Sequence, residues 1–244
     1  MARFIEPSYK IISDDFSRDK VLKRIEKAAR TCYQSEGKIC EGSDVRLLNK
    51  LVELGHEAMI EHAPNLSVTF TTCRGVSHEL VRHRLASFAQ ESTRYVKYGK
   101  DDEDMVFILP PWITGTDRDI ILNKLSWSNS DIYRPDTGLS EIAQKLTTEA
   151  AIFVQSCTQA EKDYAALIEF GWKPQQAREI LPNAIKTEIV VTADVREWRH
   201  MFELRCDKPA HPQMRELMIP LYNQLKCDIP ELWGDIEKKI DINI

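Results

Sequence analysis

Nine glycines among 244 residues, with no Pro/Gly/Ser-rich stretch, leave little room for a flexible linker or hinge. No internal repeat or low-complexity tract divides the chain either, so residues 1–244 read as a single domain. No apolar run approaches the roughly 18 residues that a membrane-spanning helix needs. The opening Met1-Ala2-Arg3-Phe4-Ile5-Glu6-Pro7 lacks the apolar stretch of a signal peptide, so the expected location is cytoplasmic, with no membrane partner. An excess of positive charge is missing as well. Thirty-three basic against 38 acidic residues give a formal charge of −5, which argues against a general nucleic-acid coat and leaves a small anionic ligand open. The six cysteines (Cys32, Cys40, Cys73, Cys157, Cys206 and Cys227) include no C-x-x-C and no tight Cys/His cluster. Neither a zinc site nor a disulfide framework is expected, and reduced, mostly buried thiols are their ordinary fate.

The composition that remains, 43% hydrophobic and 29% charged, is that of an ordinary soluble domain. A chain of this length can bury about 70% of its unfolded surface without staples. Apolar residues at helical spacing predict helices over Ser17–Cys32, from Ser43 to a stop at Gly55, over Gly75–Arg84, and over a long stretch from Leu139 to Phe170. Alternation predicts a strand at Leu66–Phe70, and short apolar runs predict strands at Met105–Leu109 and Ala184–Thr192. Pro174 marks a short helix to Leu181, and Asp194 with Glu197 forms a capping-box-like pair opening another. The expected class is α+β, a mainly antiparallel sheet flanked by long helices.

Chemistry concentrates in the stretch from His78 to Tyr95. On a continuing helix Glu79, Arg82 and His83 share an arc of about 100°, with Arg84 turned away. Two arginines and a histidine at a helix end make an anion cradle, since Arg offers a planar fork of donors and His a further bond. If the following residues are extended, Gln90, Ser92 and Arg94 line one face and together can bind a phosphate and read a base or sugar edge. A solvated basic helix followed by a polar strand fits the same spacing. Farther on, with Arg196 at 0°, His200 lies at about 40° and Arg199 at about −60°, while Arg205 falls at about 180°, among Trp198, Met201 and Phe202. Either the helix has ended by Arg205, with Pro209 close behind, or a buried guanidinium needs an anionic partner there. His56 and His62 with Glu57 and Glu61 are too widely spaced for a tight zinc pattern, so no metal is expected.

Arg82-His83-Arg84, seven residues and then Ser92 resemble the R-H-R-x7-S signature of the flavin-dependent thymidylate synthases, and the flanking Ala86-Ser87 and Arg94-Tyr95 agree. Four more segments match in order: Ala28-Ala29-Arg30-Thr31-Cys32-Tyr33, Gly55-His56-Glu57-Ala58-Met59-Ile60-Glu61-His62, Ala177-Arg178-Glu179-Ile180-Leu181-Pro182, and Thr192 through Arg205. The resemblance implies reductive methylation of dUMP to dTMP. Methylenetetrahydrofolate would be the one-carbon donor, with FAD reduced by NADPH, no enzyme cysteine as nucleophile, and tetrahydrofolate released.

By the same resemblance, Glu79, Arg82, Gln90, Glu91, Ser92, Thr93, Arg94, Arg178 and Arg205 are implied to bind dUMP. Arg205 is the implied catalytic residue, contacting the pyrimidine at N3 and O4. Cys32, His56, Ala58, Glu61, Arg82, His83, Arg84, Gln90, Asp194, Arg196 and His200 are implied to hold FAD. A homotetramer with sites shared between subunits is implied too. Three positions depart from the pattern: Ala58 stands where a Ser or Thr is usual, Asp194 where Asn is usual, and Ala89 where some members have Asn. On the residues alone two other classes stay open. One is a flavoprotein of a different reaction. The other is an RNA-binding module using Arg82, Arg84 and Arg94 with Phe88, Tyr95 and Tyr98.

Overall fold

The computed structural model describes residues 1–98, 104–134 and 138–242. In chain order the elements are β1 (Ala2–Ile5), β2 (Ser8–Ile11), α1 (Arg18–Thr31), α2 (Ser43–Glu53), β3 (Leu66–Cys73), α3 (Arg74–Leu80), β4 (Ser87–Gln90) and β5 (Met105–Ile108). They continue with α4 (Gly115–Asn123), α5 (Asn129–Ile132), β6 (Tyr133–Arg134), β7 (Gly138–Leu139), α6 (Thr148–Glu169) and α7 (Pro174–Ala177). The last are β8 (Lys186–Ala193), α8 (Val195–Arg205), α9 (Pro212–Asp228) and α10 (Pro230–Trp233). This is the expected mixture of helix and antiparallel sheet, with one addition. Strands β1 and β5 pair in parallel, Ala2 opposite Met105 and Ile5 opposite Ile108, which a long crossover between them permits. The four-stranded sheet has the order β2-β3-β8-β4. Among the described residues no helix is long and apolar enough to cross a membrane.

The chain forms two compact units. One comprises Met1–Ser8, Thr71–His78 and Gln90–Ile189; the other comprises Tyr9–Phe70, Glu79–Ala89 and Val190–Ile244. Every passage between them lies inside β2, β3, α3, β4 or β8. The first unit packs Phe4, Phe107, Trp127, Val154 and Tyr164 into one apolar cluster. The second closes over α8, where Trp198 packs at tilted angles on Phe70 and Phe202, and Phe202 meets Tyr222 at a tilt and Trp233 edge-on. Trp198 donates its indole N–H to the Leu66 carbonyl at 2.9 Å, so its polar edge is satisfied inside that core.

Several expected boundaries shift for local reasons. The long helix begins at Thr148 rather than Leu139, because Leu146 is extended and Thr147 caps the first turn by accepting from the Ala150 amide. Asp117 holds that cap, taking bonds from the Thr147 amide at 3.0 Å and hydroxyl at 2.6 Å. Helix α2 stops where expected, with Gly55 in the left-handed region at φ 68°. The cysteines are less buried than expected: Cys73, Cys157 and Cys206 are inside, whereas Cys32, Cys40 and Cys227 are exposed, and all six are free.

Phe202 is fully buried and touches three aromatic rings. Phe202→Ala is expected to lower unfolding free energy by about 3–5 kcal/mol, measured by urea titration; a loss below about 1 kcal/mol would show that the aromatic cluster does not hold α8.

Candidate active site

The R-H-R segment is not helical. Helix α3 ends at Leu80, and the next amides bond three residues back, Arg82 to the Glu79 carbonyl and His83 to the Leu80 carbonyl. This corrects the expected helix to Arg84 and the arc drawn on it. The tight turns send neighbouring side chains in opposite senses: Arg82 and Arg84 are exposed, while His83 is 5% exposed.

His83 is drawn inward by α8, in the same unit. Asp194 caps that helix by accepting from the Glu197 amide at 2.9 Å, as its sequence predicts. The Glu197 side chain does not complete a capping box. It lies 3.4 Å from His83 Nδ1 and is 6% exposed. At the other end of the helix Arg205 donates Nε–H to His83 Nε2 at 3.0 Å, Nη1–H to Glu79 Oε2 at 3.0 Å and Nη2–H to the Glu79 carbonyl at 3.2 Å. Arg205 is therefore the last residue of α8 and its guanidinium is partly buried, with Glu79 as the anionic partner. Arg is always charged and only donates, so His83 Nε2 must present a lone pair and the ring proton sits on Nδ1. Burial, then the Arg205 and His200 charges, push the His83 pKa down to about 4. Burial pushes the Glu197 carboxyl upward, opposed by His200 and aided by Asp194.

Beside this chain of contacts lies a cleft of about 580 Å³ whose walls include Glu57, Glu61, Asp194, Arg196, His200 and Glu203. Arg196 donates to Glu61 at 2.6 Å and lies 3.6 Å from Glu57. Arg199, expected on the polar side of α8, is instead 2% exposed. It makes bidentate bonds to Asp235 at 2.8 and 2.6 Å, donates to the Leu232 carbonyl, and lies 3.5 Å from Glu57. A second cavity of about 630 Å³ is lined by Ala29, Leu47, Leu51 and Leu54 together with Cys32, Tyr33, His56, Ala58 and Met59. The 3₁₀ helix Glu57–His62 separates the two, sending Glu57 and Glu61 to one and Ala58 and Met59 to the other.

The other expected residues gather in the first unit. Strand β4 ends at Gln90, whose amide donates to Ser77 Oγ at 2.7 Å and Thr187 Oγ1 at 3.2 Å. The extended run to Arg94 does not form. Ser92 accepts the Arg94 amide on its hydroxyl, and the Tyr95 and Val96 amides on its carbonyl, which closes a turn. Thr93 Oγ1 accepts from Arg178 at 3.1 Å, Arg94 sits over the Tyr95 ring, and Glu91 pairs with Lys186 at 3.2 Å.

Thus Glu79, His83 and Arg205 come together in one unit, while in the other Thr93 meets Arg178 and Gln90 turns to Ser77 and Thr187. Sequence reasoning missed Glu197, Glu57 and Arg199. For Glu197 the sequence carries a signal in an acidic residue at N3, a position that points first to a backbone cap. For Arg199 the partner, Asp235, lies too far along the chain to be read from spacing.

The profile of the family described as "Thymidylate synthase complementing protein" matches residues 16–231. The flavin-dependent thymidylate synthase of Geobacter sulfurreducens is 32% identical over 217 residues, covering 85% of this chain and 78% of its own. That of Mycobacterium tuberculosis is 31% identical over 215 residues, covering 87% and 78%. The chain belongs to the flavin-dependent thymidylate synthase family. The family's R-H-R segment is here divided, one side chain turned in to α8 and two turned out. Its fold is shared by a UMP/dUMP methylase, PolB, from Streptomyces cacaoi, solved with 5-Br dUMP, at a TM-score of 0.68 and 20% identity over 97% of both chains.

A flavin-dependent thymidylate synthase needs a flavin site, and the 580 Å³ cleft suits one in donor chemistry: Arg196 and His200 offer donors and Glu57 and Glu61 acceptors, matching a ring edge that carries both carbonyl and N–H groups.

The depressed His83 pKa has a consequence for stability. Unfolded, the ring takes a proton near pH 6.5; folded, it does so only near pH 4. Its contribution is therefore complete above about pH 6.5 and is lost as pH falls toward 4, by up to about 3 kcal/mol. His83→Asn is expected to flatten the fall of the urea midpoint across that window. An unchanged slope would mean that His83 is not held neutral in the fold.

Proposed function

We propose that this chain catalyses the reductive methylation of dUMP to dTMP, with methylenetetrahydrofolate as one-carbon donor, FAD as cofactor and NADPH as reductant, releasing tetrahydrofolate. The observation that carries this reading is the Arg205 guanidinium, fixed through Nε by a neutral imidazole and with its two Nη atoms turned to Glu79. A planar fork of this kind suits a pyrimidine edge on which O4 and an N3 that has given up its proton both accept, and its charge steadies negative charge as the ring becomes a nucleophile. The dUMP-binding set would be Glu79, Arg82, Gln90, Glu91, Ser92, Thr93, Arg94, Arg178 and Arg205. The methylase of similar fold solved with 5-Br dUMP supports a pyrimidine nucleotide as substrate.

The flavin would be held by Glu61, Arg82, His83, Arg84, Gln90, Asp194, Arg196 and His200, with Cys32, His56 and Ala58. When bound it supplies the hydride that completes the methyl group. His83 serves from a distance in this scheme, since its ring is turned to Arg205. Asp194 spends one carboxylate oxygen on the helix cap, so its contact to the cofactor differs from that of an Asn. Cys32, His56 and Ala58 line a different cavity from Glu61, Asp194, Arg196 and His200. That division supports sites completed by another copy of the chain, in a homotetramer.

A thiol nucleophile is not needed. Cys206, adjacent to Arg205, is buried, and burial pushes its thiol up to about 12, far from thiolate formation.

The reading is tested by a coupled assay containing dUMP, methylenetetrahydrofolate, FAD and NADPH, with each omitted in turn and UMP substituted for dUMP. Arg205→Ala is expected to lose most dTMP formation while folding and retaining the visible flavin bands. Unchanged dTMP formation would overturn the role of Arg205. Cys206→Ala is expected to stay active; a folded but dead variant would restore a thiol mechanism.

A further inference from the structure

We propose that Glu197 is a positioning residue for Arg205, acting through the tautomer of His83; the proposal rests on Arg205 being the pyrimidine-contacting group. The geometry is a chain of three side chains in one unit: Glu197 Oε1 lies 3.4 Å from His83 Nδ1, and His83 Nε2 lies 3.0 Å from Arg205 Nε. The imidazole thus bridges the first turn and the last residue of α8.

Each link constrains the next. Arg205 Nε–H can only donate, so His83 must offer Nε2 as an acceptor and carry its proton on Nδ1. A proton on Nδ1 in a ring 5% exposed needs an acceptor, and Glu197, itself 6% exposed, stands on that side. Without it the ring is free to move its proton to Nε2, which sets two donors against each other and drives the guanidinium from its place. The edge-on His200 ring, 6.0 Å away between centroids, limits how far His83 can turn.

A neutral acceptor at Nε has a second effect. A carboxylate there would set a second negative charge against the guanidinium beside that of Glu79, which already pairs Nη1, whereas an imidazole orients it without adding one. Glu197 thereby fixes direction and leaves the charge balance of Arg205 to Glu79. Its own position is held because its backbone amide bonds to Asp194 at 2.9 Å and its side chain is left for His83.

Replacing Glu197 tests this. Glu197→Leu, close in volume, is expected to lower kcat about 10- to 100-fold, with flavin content and thermal midpoint near those of the parent and a smaller change in KM. Glu197→Gln keeps an acceptor oxygen for Nδ1–H and is expected to hold kcat within about threefold. In a His83→Leu background, Glu197→Leu is expected to cost nothing further, because the path it acts through is gone. Full activity in Glu197→Leu, failure of Glu197→Gln to rescue, or an undiminished loss in the His83→Leu background would each overturn the proposal.

A measurement on the unaltered protein serves if a variant does not fold. Nuclear magnetic resonance of nitrogen-labelled histidine side chains, with His83→Asn for assignment, is expected to show His83 protonated at Nδ1 and bare at Nε2 at neutral pH. The opposite tautomer, or an imidazolium, overturns the link. Should the parent make no dTMP, the functional reading fails, and the tautomer spectrum still decides whether Glu197 governs His83.

Discussion

A charge taken out of water must find a partner, and helix α8 brings several inside. Arg199 meets Asp235 and the Leu232 carbonyl; Glu197 meets His83; Arg205 meets His83 and Glu79. Trp198, Met201 and Phe202 fill the remaining inward side with apolar surface. Between them these contacts leave α8 no freedom to rotate, because any turn that improved one pairing would strip another buried group of its partner. The outward residues Arg196 and His200 inherit that rigidity, and it is they that line the cleft. The precision of the cleft wall is thus a by-product of satisfying buried charge behind it.

The local electrostatics differ from what a net charge of −5 suggests. Around the cleft, carboxylates from Glu57, Glu61, Asp194, Glu197 and Glu203 surround Arg196 and Arg199. Arg196 already leans on Glu61, which raises its pKa further. The positive residues that remain outward, Arg82 and Arg84, lie on the turn beyond α3 and are exposed. Charge here is sorted by position along one short segment, and a whole-chain total averages that sorting away.

Much of this was legible in residue order. Gly55, Pro174 and Asp194 mark helix boundaries through chemistry that acts within a turn or two, and the structure has helices beginning or ending at each; α1 likewise follows Ser17, although its side chain makes no cap bond. The failures share a cause in that distant partners override local periodicity. Apolar spacing continues through Leu139–Leu146, but Asp117 fixes Thr147 as a cap and stops the helix there. Periodicity places His83 on an extended α3, whereas Glu197 and Arg205 draw it into a tight turn. Arg199 looks like a surface residue until Asp235, from the far end of the chain, closes over it. The motif residues are findable from their order; of the groups that hold them in place, Glu197 has only its N3 position as a local signal and Asp235 has none.

Asp194 shows how a departure from the family pattern is absorbed. At a helix N-cap an oxygen acceptor is all that the backbone requires, so Asp and Asn serve α8 alike. The added negative charge even favours the helix, since it faces the positive end of the peptide dipoles. Its cost falls on the cleft side, where it adds a carboxylate to a wall already holding Glu57 and Glu61 and helps push the buried Glu197 carboxyl upward. His83 is set apart from that field, its shift coming from burial and from Arg205 and His200.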